Sequence, residues 1–404
     1  MNAELGATEK AKAAAALSGH LDTRTAATEV SYDLYDRIQP GCDLVVVFAS
    51  YHHRAALPEA METIRQTLTP RHSMAVTTEG VLGVDEELEG KAGMSAVAMR
   101  LPGVRLWPWL TTPQDPIPLS RAEQVADRIS LGTDFRATIM LADPFTTPIT
   151  KLLPALTGCG GMKRPVAVVG GMASGASQPG HNLLVLDDRV VPAGAIGMSI
   201  SGAVEVEFVV SQGCRPIGKP LVVTKVKENI ILELGGNPAV EVLHGLAGSL
   251  DEHERELLQR GLLIGNVIDE KKRHFGRGDF LVRNVLGIDQ EQKGIAVGDL
   301  PRLGQTIQFH ARDAVTASED LQLLLDAQVM SERPFAGMLF TCNGRGQRLF
   351  GEPNHDIGII TERLGEVPIA GFFAAGEIGP IGGRSFLHGH TAALALFRGR
   401  ASGG

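Results

Sequence analysis

The stretch GFFAAGEIGPIGGRSFLHGHTAALALFR, residues 371–398, decides the fold prediction because apolar runs enclose a glycine-rich segment with charged side chains. The run IAGFF that leads into it is apolar throughout and predicts a buried strand, whereas HTAALALF after it fits a strand or a short helix. Glycines let backbone N–H groups approach a ligand and adopt conformations that other residues avoid. We therefore expect a loop, held by the core, that presents Glu377, Arg384, His388 and His390. The alternative is a tight turn in which the Glu and Arg side chains pair on the surface.

The composition is that of a folded protein. With 404 residues, of which 21% are charged and 44% hydrophobic, the chain is long enough for two or three domains with full cores. No segment is long and apolar enough to cross a membrane, and the N-terminal residues lack the basic start and leucine-rich core of a signal peptide. The net charge of −8 offers no basic stripe for phosphates. We therefore predict a soluble cytoplasmic protein that binds neither nucleic acid nor membrane.

Cysteine spacing and motif searches argue against several kinds of site. The four cysteines are far apart in sequence and form no CxxC pair, which argues for reduced thiols and against a zinc site: Cys42, Cys159, Cys214 and Cys342. The glycine run 376–383 is no dinucleotide fingerprint because too few residues follow it for a βαβ unit. The sequence contains no GxxxxGK[ST], GxSxG or HExxH motif. We therefore predict no metal site and no cofactor, with haem kept as an alternative discussed below.

The order of strands and helices predicts an α/β fold with an internal duplication. Residues 1–38 are rich in Ala, Glu and Lys at helical spacing and predict a helical segment. A buried strand, a helix and a strand entering a glycine turn then follow as DLVVVFAS (43–50), YHHRAALPEAMETIRQTL (51–68) and HSMAVTTEGVLG (72–83). The same order returns in ATIMLADP (137–144), ITKLLPALTG (149–158) and PVAVVGGMASG (165–175). Because short glycine turns link many strands, we expect mixed, largely antiparallel sheets.

The chain is predicted to divide into three segments. The helical segment covers 1–38, a first domain covers 39–235, and a second domain, which packs on the first, covers 236–400. The second domain includes the amphipathic stretch SEDLQLLLDAQVM, in which Ser318 is expected to cap the start of a helix.

Seven segments, in this order, together resemble one family: VFASYHH, VTTEGVLG, SQGCRPIG, DFLVRNVLGID, IQFHARDAVTASEDL, FTCNGRG and GFFAAGEIGPIGGRSFLHGHTA. They are similar to the paired FIST N-terminal and C-terminal domains, named for F-box and intracellular signal transduction proteins, over residues 43–397. The resemblance implies a sensory module that binds a small ligand and is usually attached to a kinase, cyclase, chemotaxis or F-box domain. We expect no such domain in these 404 residues and therefore expect output through a separate signalling protein. The family also includes haem-binding gas sensors, which implies haem as an alternative ligand.

The segment FTCNGRG places polar groups directly after a predicted strand. Asn343, Gly344 and Arg345 are expected to bind an anion, because Arg pairs bidentately with carboxylates and glycines expose backbone amides. The alternative is that Arg345 bridges to an Asp or Glu of the fold. Cys342 is a candidate nucleophile if a histidine such as His355 or His388 lies close, and is otherwise a small buried hydrophobe.

The complete predicted site combines three glycine loops. If the loops of Arg345 and Arg384 converge, the ligand should be an anion such as an amino acid or other carboxylate. The alternatives are an enzyme that uses Cys342 or the Glu377 and His388 pair, a haem-based sensor, and a scaffold that binds only protein. The predicted ligand-binding residues are Thr78, Glu79, Gly80, Asn343, Gly344, Arg345, Glu377, Gly382, Gly383, Arg384, His388 and His390.

Overall fold

The computed structural model describes residues 10–161 and 164–400, and contacts divide them into two units. Unit 1 holds the described residues up to Val210, then Gln322–Leu387 and those from Ala392 onward, and unit 2 holds Ser211–Leu321 and His388–Thr391. Unit 1 is therefore built from separate parts of the chain. The predicted division of the sequence at residue 235 stays a prediction.

The described strands are β1 (Lys12–Ser18), β2 (Leu44–Ser50), β3 (His72–Thr78), β4 (Val81–Gly83), β5 (Glu86–Leu88), β6 (Met94–Arg100), β7 (Val104–Thr111), β8 (Phe135–Ala142), β9 (Val168–Met172), β10 (Leu184–Leu186), β11 (Arg189–Val191), β12 (Ala195–Gly202), β13 (Val204–Gln212), β14 (Cys214–Lys227), β15 (Ile230–Leu234), β16 (Asn237–Pro238), β17 (Leu262–Val267), β18 (Phe280–Asp289), β19 (Gly294–Val297), β20 (Thr306–Arg312), β21 (Ala336–Cys342), β22 (Ile369–Ala374), β23 (Glu377–Ile381), β24 (Arg384–His388) and β25 (Thr391–Gly399). The described α-helices are α1 (Thr23–Ile38), α2 (Leu57–Leu68), α3 (Ala122–Arg128), α4 (Ile149–Gly158), α5 (Ala239–Ser249), α6 (Glu252–Arg260), α7 (Ala314–Val329), α8 (Gln347–Phe350) and α9 (His355–Leu364). Short 3-10 helices cover Tyr51–Ala56 and Arg277–Asp279.

Unit 1 repeats one strand–helix–strand arrangement three times. The strand pairs β2 and β3, β8 and β9, and β21 and β22 are each parallel and joined through helix, and β6, β12 and β25 lie antiparallel on the free edge of the first strand of each pair. The leading strands are largely apolar and almost fully buried, which is typical of sheets that are covered on both faces. The predicted duplication is confirmed as a repeated topology, and a third copy follows it in the chain.

The repeats exchange their hairpins. The hairpin β4–β5 pairs with β22, β10–β11 with β3, and β23–β24 with β9. On the opposite edges, β1 joins β6, β7 joins β12 and β13 joins β25. Three six-stranded sheets with one common strand order result. Each sheet contains strands from more than one repeat, so no single repeat holds a complete sheet.

The core of unit 1 draws side chains from all three sheets. Its aromatic centre is formed by Phe48, Phe340 and Phe372, with ring centroids 5.3 Å apart for the first and third and 5.7 Å apart for the second and third. Helices α1 and α2 cover the outer face of the sheet that contains β2, through a second cluster of buried apolar side chains. The inner core is thus shared, and the helices close the outer faces.

Unit 2 contains an antiparallel sheet of seven strands in the order β14-β20-β17-β18-β19-β15-β16, with α5 and α6 packed against it. None of the helices in the described part of the chain is long and apolar enough to cross a membrane. The predicted fold class, α/β with mixed and largely antiparallel sheets, is confirmed.

Three local predictions are wrong, the first of them in part. Helix α1 (Thr23–Ile38) confirms the end of the predicted helical segment 1–38. Within that segment Lys12–Ser18 forms β1, because pairing with β6 and burial of its alanines outweigh helix propensity; the first nine residues lie outside the described chain. Helix α7 begins at Ala314, so Ser318 is not its cap; Asp313 instead accepts from the Val315 N–H at 3.2 Å. The predicted glycine loop around Glu377 is a hairpin, β23–β24, followed by strand β25.

Candidate functional site

A small cavity of about 210 Å³ lies in unit 1 where strands from two repeats end. Its first wall is the β3–β4 connection with the segment after β5, and its second is the loop after β21 with helix α8. The lining residues are Glu79, Gly80, Glu89, Gly90, Asn343, Gln347, Arg348 and Phe373. Strand ends of a rigid sheet are positions where binding side chains concentrate.

Hydrogen bonds from each repeat fix the walls. The Ser174 hydroxyl accepts from the Glu79 N–H at 2.9 Å and donates to the Phe373 carbonyl. The Phe373 N–H donates to the Gly80 carbonyl at 3.0 Å. A Cβ on Gly80 would lie 2.8 Å from the Leu88 carbonyl oxygen, so only glycine allows this approach. The cavity is therefore preformed by backbone contacts.

Charged groups of both signs meet at the cavity. The Arg348 Nη2 lies 2.6 Å from Glu79 Oε1, and its Nη1 donates to the Asn343 carbonyl at 3.2 Å. Glu89 Oε1 accepts from the Gln347 N–H at 2.9 Å, and burial raises the pKa of this carboxyl above its usual range. The buried Asn343 Oδ1 has no hydrogen-bond partner among the described residues. Two carboxylates and one guanidinium thus line a small space, and Asn343, whose side-chain oxygen is unsatisfied, lines it as well.

Arg345 is a structural residue. Its Nε and Nη2 donate to Asp356 Oδ2 and Oδ1 at 2.7 and 2.8 Å, and both side chains are essentially inaccessible, at 0% and 1% exposed. Burial alone would raise the pKa of Asp356, but the Arg345 charge and the hydrogen bonds from Arg345, His355 and Thr341 hold it well below its usual range. The alternative that Arg345 bridges to a carboxylate of the fold is confirmed, and an anionic ligand has no access to this guanidinium.

Glu87 is a second buried acid beside this pair. Its Oε1 accepts from the Ile357 N–H in the first turn of α9 at 3.0 Å, and its own N–H donates to Asn354 Oδ1 at 2.8 Å. Burial, and then the nearby Asp356 charge, raise the pKa of Glu87 to about 8. A largely protonated Glu87 therefore holds the β4–β5 hairpin against α9 at neutral pH.

Several predicted site residues have structural roles or separate locations. The buried Thr78 hydroxyl donates to the Ala49 carbonyl at 3.2 Å, and the Gly344 N–H donates to Cys342 Sγ at 3.4 Å. Glu377 is fully buried at the start of β23, paired with Gly171. The two residues of the β23–β24 turn have φ values of 58° and 78°, as expected of glycine: Gly382 and Gly383.

The two predicted arginines do not share an open site. Arg345 is enclosed, whereas Arg384 is exposed at the β23–β24 hairpin with its guanidinium 5.8 Å from the Phe386 ring centroid. His388 and His390 belong to unit 2, where His388 is buried and His390 Nε2 lies 2.8 Å from Asn284 Oδ1. Glu377 belongs to unit 1.

Of the predicted residues, the structure brings Glu79, Gly80 and Asn343 together at one cavity. Sequence reasoning missed the other lining residues, Glu89, Gly90, Gln347, Arg348 and Phe373. One available signal was the Glu-Gly dipeptide, which occurs at 79–80 and again at 89–90 on either side of the β4–β5 hairpin.

Comparisons with known proteins identify the family. The FIST N domain matches residues 43–237, and the FIST C domain matches residues 239–380. Uncharacterized protein Rv0628c of Mycobacterium tuberculosis is 36% identical over 385 residues, which cover 93% of this chain and 97% of that protein. Uncharacterized protein Mb0898c of Mycobacterium bovis is likewise 36% identical over 385 residues, covering 93% of this chain and 96% of that protein. FIST domains are associated with sensory functions in signal transduction. The chain therefore belongs to the FIST family and carries both the FIST N and the FIST C domain.

Proposed function

We propose that this protein is a sensor of a small zwitterion, such as a free amino acid, and that the ligand binds in the cavity between Glu89 and Arg348. The bound state is read by a separate signalling protein, in keeping with the sensory association of FIST domains. The proposed ligand carries a carboxylate, as expected from the sequence. The lining of the cavity also favours a ligand with an ammonium group.

The ammonium group is the part of the ligand that the cavity favours most directly. Glu89 is partly dehydrated, and Asn343, whose buried Oδ1 has no donor among the described residues, lines the same cavity. An ammonium group carries three donors and a positive charge, which satisfies both acceptors at once. A buried acceptor without a donor costs about 1–3 kcal/mol, so donation from a ligand recovers stability. The unsatisfied Asn343 oxygen is the observation that carries the proposal.

The carboxylate end of the ligand is expected at Arg348. This side chain is 62% exposed, so its remaining N–H groups are open to a ligand even though Nη2 is paired with Glu79 and Nη1 donates to the Asn343 carbonyl. Guanidinium groups bind planar carboxylates through parallel hydrogen bonds. The cavity of about 210 Å³ suits a molecule with few non-hydrogen atoms.

The test is calorimetric titration of the purified full chain with a panel of free amino acids and two matched analogues of the best binder. One analogue lacks the carboxylate and the other carries an acetylated amine. We expect saturable binding of one or more amino acids and at least tenfold weaker binding of both analogues, because each loses a charge-assisted hydrogen bond of about 1.5–3 kcal/mol.

The matched variants are Glu89→Gln and Glu86→Gln, which remove acidic side chains at the cavity and on the exposed side of the same hairpin. We expect Glu89→Gln to weaken amino-acid binding at least tenfold and Glu86→Gln to leave it unchanged. Equal affinities for both variants, or binding of the acetylated analogue as tightly as the amino acid, would refute this ligand site.

A further inference from the structure

A larger cavity, of about 760 Å³, lies elsewhere in unit 1 and shares no lining residue with the small cavity. Its walls come from β7, from the segment that contains α3, and from the β10–β11 turn. The lining combines aromatic and charged side chains, among them Trp107, Trp109, Asp127, Asp188 and Arg189.

An indole ring forms the most distinctive part of the lining. Trp107 is 52% exposed, and its Nε1 donates to the Arg128 carbonyl at 3.1 Å, which fixes the ring orientation. Trp109, two positions further along β7, is on the same face of the strand and also lines the cavity. A fixed and accessible indole favours alkyl chains and cations, because the face of the ring is electron-rich.

The charged lining groups carry a formal excess of two negative charges, from four carboxylates against two guanidinium groups. Asp115 is neutralised by Arg128 through contacts of 2.9 and 3.0 Å, and Asp187 accepts from the Ser73 N–H at 2.8 Å and contacts His72 Nδ1 at 3.1 Å. Arg189 is exposed at the β10–β11 turn.

Two of the four carboxylates in the lining have no partner of this kind in the described part of the chain. Asp127 on α3 and Asp188 in the β10–β11 turn are both exposed, and among the described residues their side chains form no hydrogen bond or ion pair. They stand on different walls of the cavity, with the apolar surface of β7 as a third wall.

We propose that this cavity binds a linear aliphatic polyamine. The two ammonium ends pair with Asp127 and Asp188, and the methylene chain lies on the Trp107 ring. A monovalent cation would satisfy one carboxylate only, and a dicarboxylate would meet the excess negative charge. An alkyl chain with charged ends thus matches both the apolar and the acidic parts of the lining.

The protein carries its own reporter for this site, since its two tryptophans, Trp107 and Trp109, both line this cavity. The experiment is a tryptophan-fluorescence titration of the full chain with spermidine at fixed ionic strength. A neutral diol of matched length serves as the ligand control. We expect a saturable change with spermidine and none with the diol.

The matched variants are the double variant Asp127→Asn/Asp188→Asn and the control Glu123→Gln, an exposed acid on the same helix that does not line the cavity. All three positions are exposed, so folding should be preserved. We expect the double variant to weaken spermidine binding at least tenfold and Glu123→Gln to leave it within twofold. A titration of the wild type without saturation, or a double variant that binds as tightly as the control, would overturn the proposal.

Discussion

Two arginines that are three positions apart, Arg345 and Arg348, have opposite environments. Arg345 is fully buried and holds Asp356 through two hydrogen bonds, whereas Arg348 is 62% exposed and pairs with Glu79 at the rim of a cavity. The turn after β21 separates them, because it directs the first side chain under α9 and places the second on α8. Burial, and not residue type, therefore decides which arginine supports the fold and which is available to a ligand.

The largest effect is expected for Arg345→Ala. It leaves the Asp356 carboxylate buried without its cation, and such a stranded charge costs about 3–5 kcal/mol. We expect a large fall in the urea midpoint. As a control, the double variant Arg345→Met/Asp356→Leu should regain much of the loss, because it removes both charges. A loss below about 1 kcal/mol in the single variant would mean that Arg345 is not a structural centre.

The pH dependence of Glu87 tests the same buried cluster. The pKa of Glu87 is about 8 in the folded protein, against an ordinary value of 4.5, so the folded state keeps a proton that the unfolded chain releases in this window. The contribution of Glu87 to the free energy of unfolding is therefore fully present below pH 4.5. As the pH rises from there to the folded pKa, this contribution falls by about 1.4 kcal/mol per pH unit.

The variant that isolates this effect is Glu87→Gln, which keeps an acceptor for the Ile357 N–H but cannot ionise. We expect urea midpoints of variant and wild type to be similar near pH 5 and the variant to be the more stable protein near pH 8. Parallel pH profiles for the two proteins would contradict the burial of a protonated Glu87.

Arg348→Ala should have the reverse signature of Arg345→Ala. An exposed ion pair contributes about 0–1 kcal/mol to folding, so the urea midpoint should change little. A lost charge-assisted hydrogen bond to a ligand carboxylate should weaken amino-acid binding at least tenfold. If Arg348→Ala has a much lower urea midpoint and an unchanged affinity for the amino acid, then Arg348 supports the fold and does not bind the ligand.

The smallest effect is expected for Arg384→Ala. This side chain is exposed at the β23–β24 hairpin, and its recorded aromatic contact is with the Phe386 ring. Loss of an exposed cation–π contact costs about 0.5–1 kcal/mol. We expect a slightly lower midpoint and unchanged amino-acid affinity in calorimetry. A tenfold loss of affinity would move the ligand site toward this hairpin, as the sequence alone suggested.

Local patterns predicted much of the fold. The apolar strand β2, the helix α4 and the strand β21 were all predicted near their observed positions, because continuous apolar runs and helical spacing are local signals. The repeated order of elements also indicated a duplication. The exchange of hairpins among repeats was not predictable, since pairing of β4 with β22 depends on contacts between distant parts of the chain.

The same limit explains what was missed at the site. The loop after β21 was identified correctly as polar and glycine-rich, but its sequence does not reveal that Asp356 meets Arg345 under α9. Glu89 was missed because only the return of the β5 hairpin onto α8 makes it a cavity wall. Residue types near strand ends can be predicted, whereas their burial depends on which distant segment covers them.

The most direct test of the ligand site is a crystal structure of the protein grown with the amino acid that binds most tightly in calorimetry. We predict the ligand in the cavity of about 210 Å³, with its ammonium group within hydrogen-bond distance of Glu89 and Asn343 and its carboxylate at Arg348. We assign Arg348, rather than Arg345 or Arg384, as the ligand-binding arginine. A ligand bound anywhere else, with this cavity holding none, would contradict that assignment.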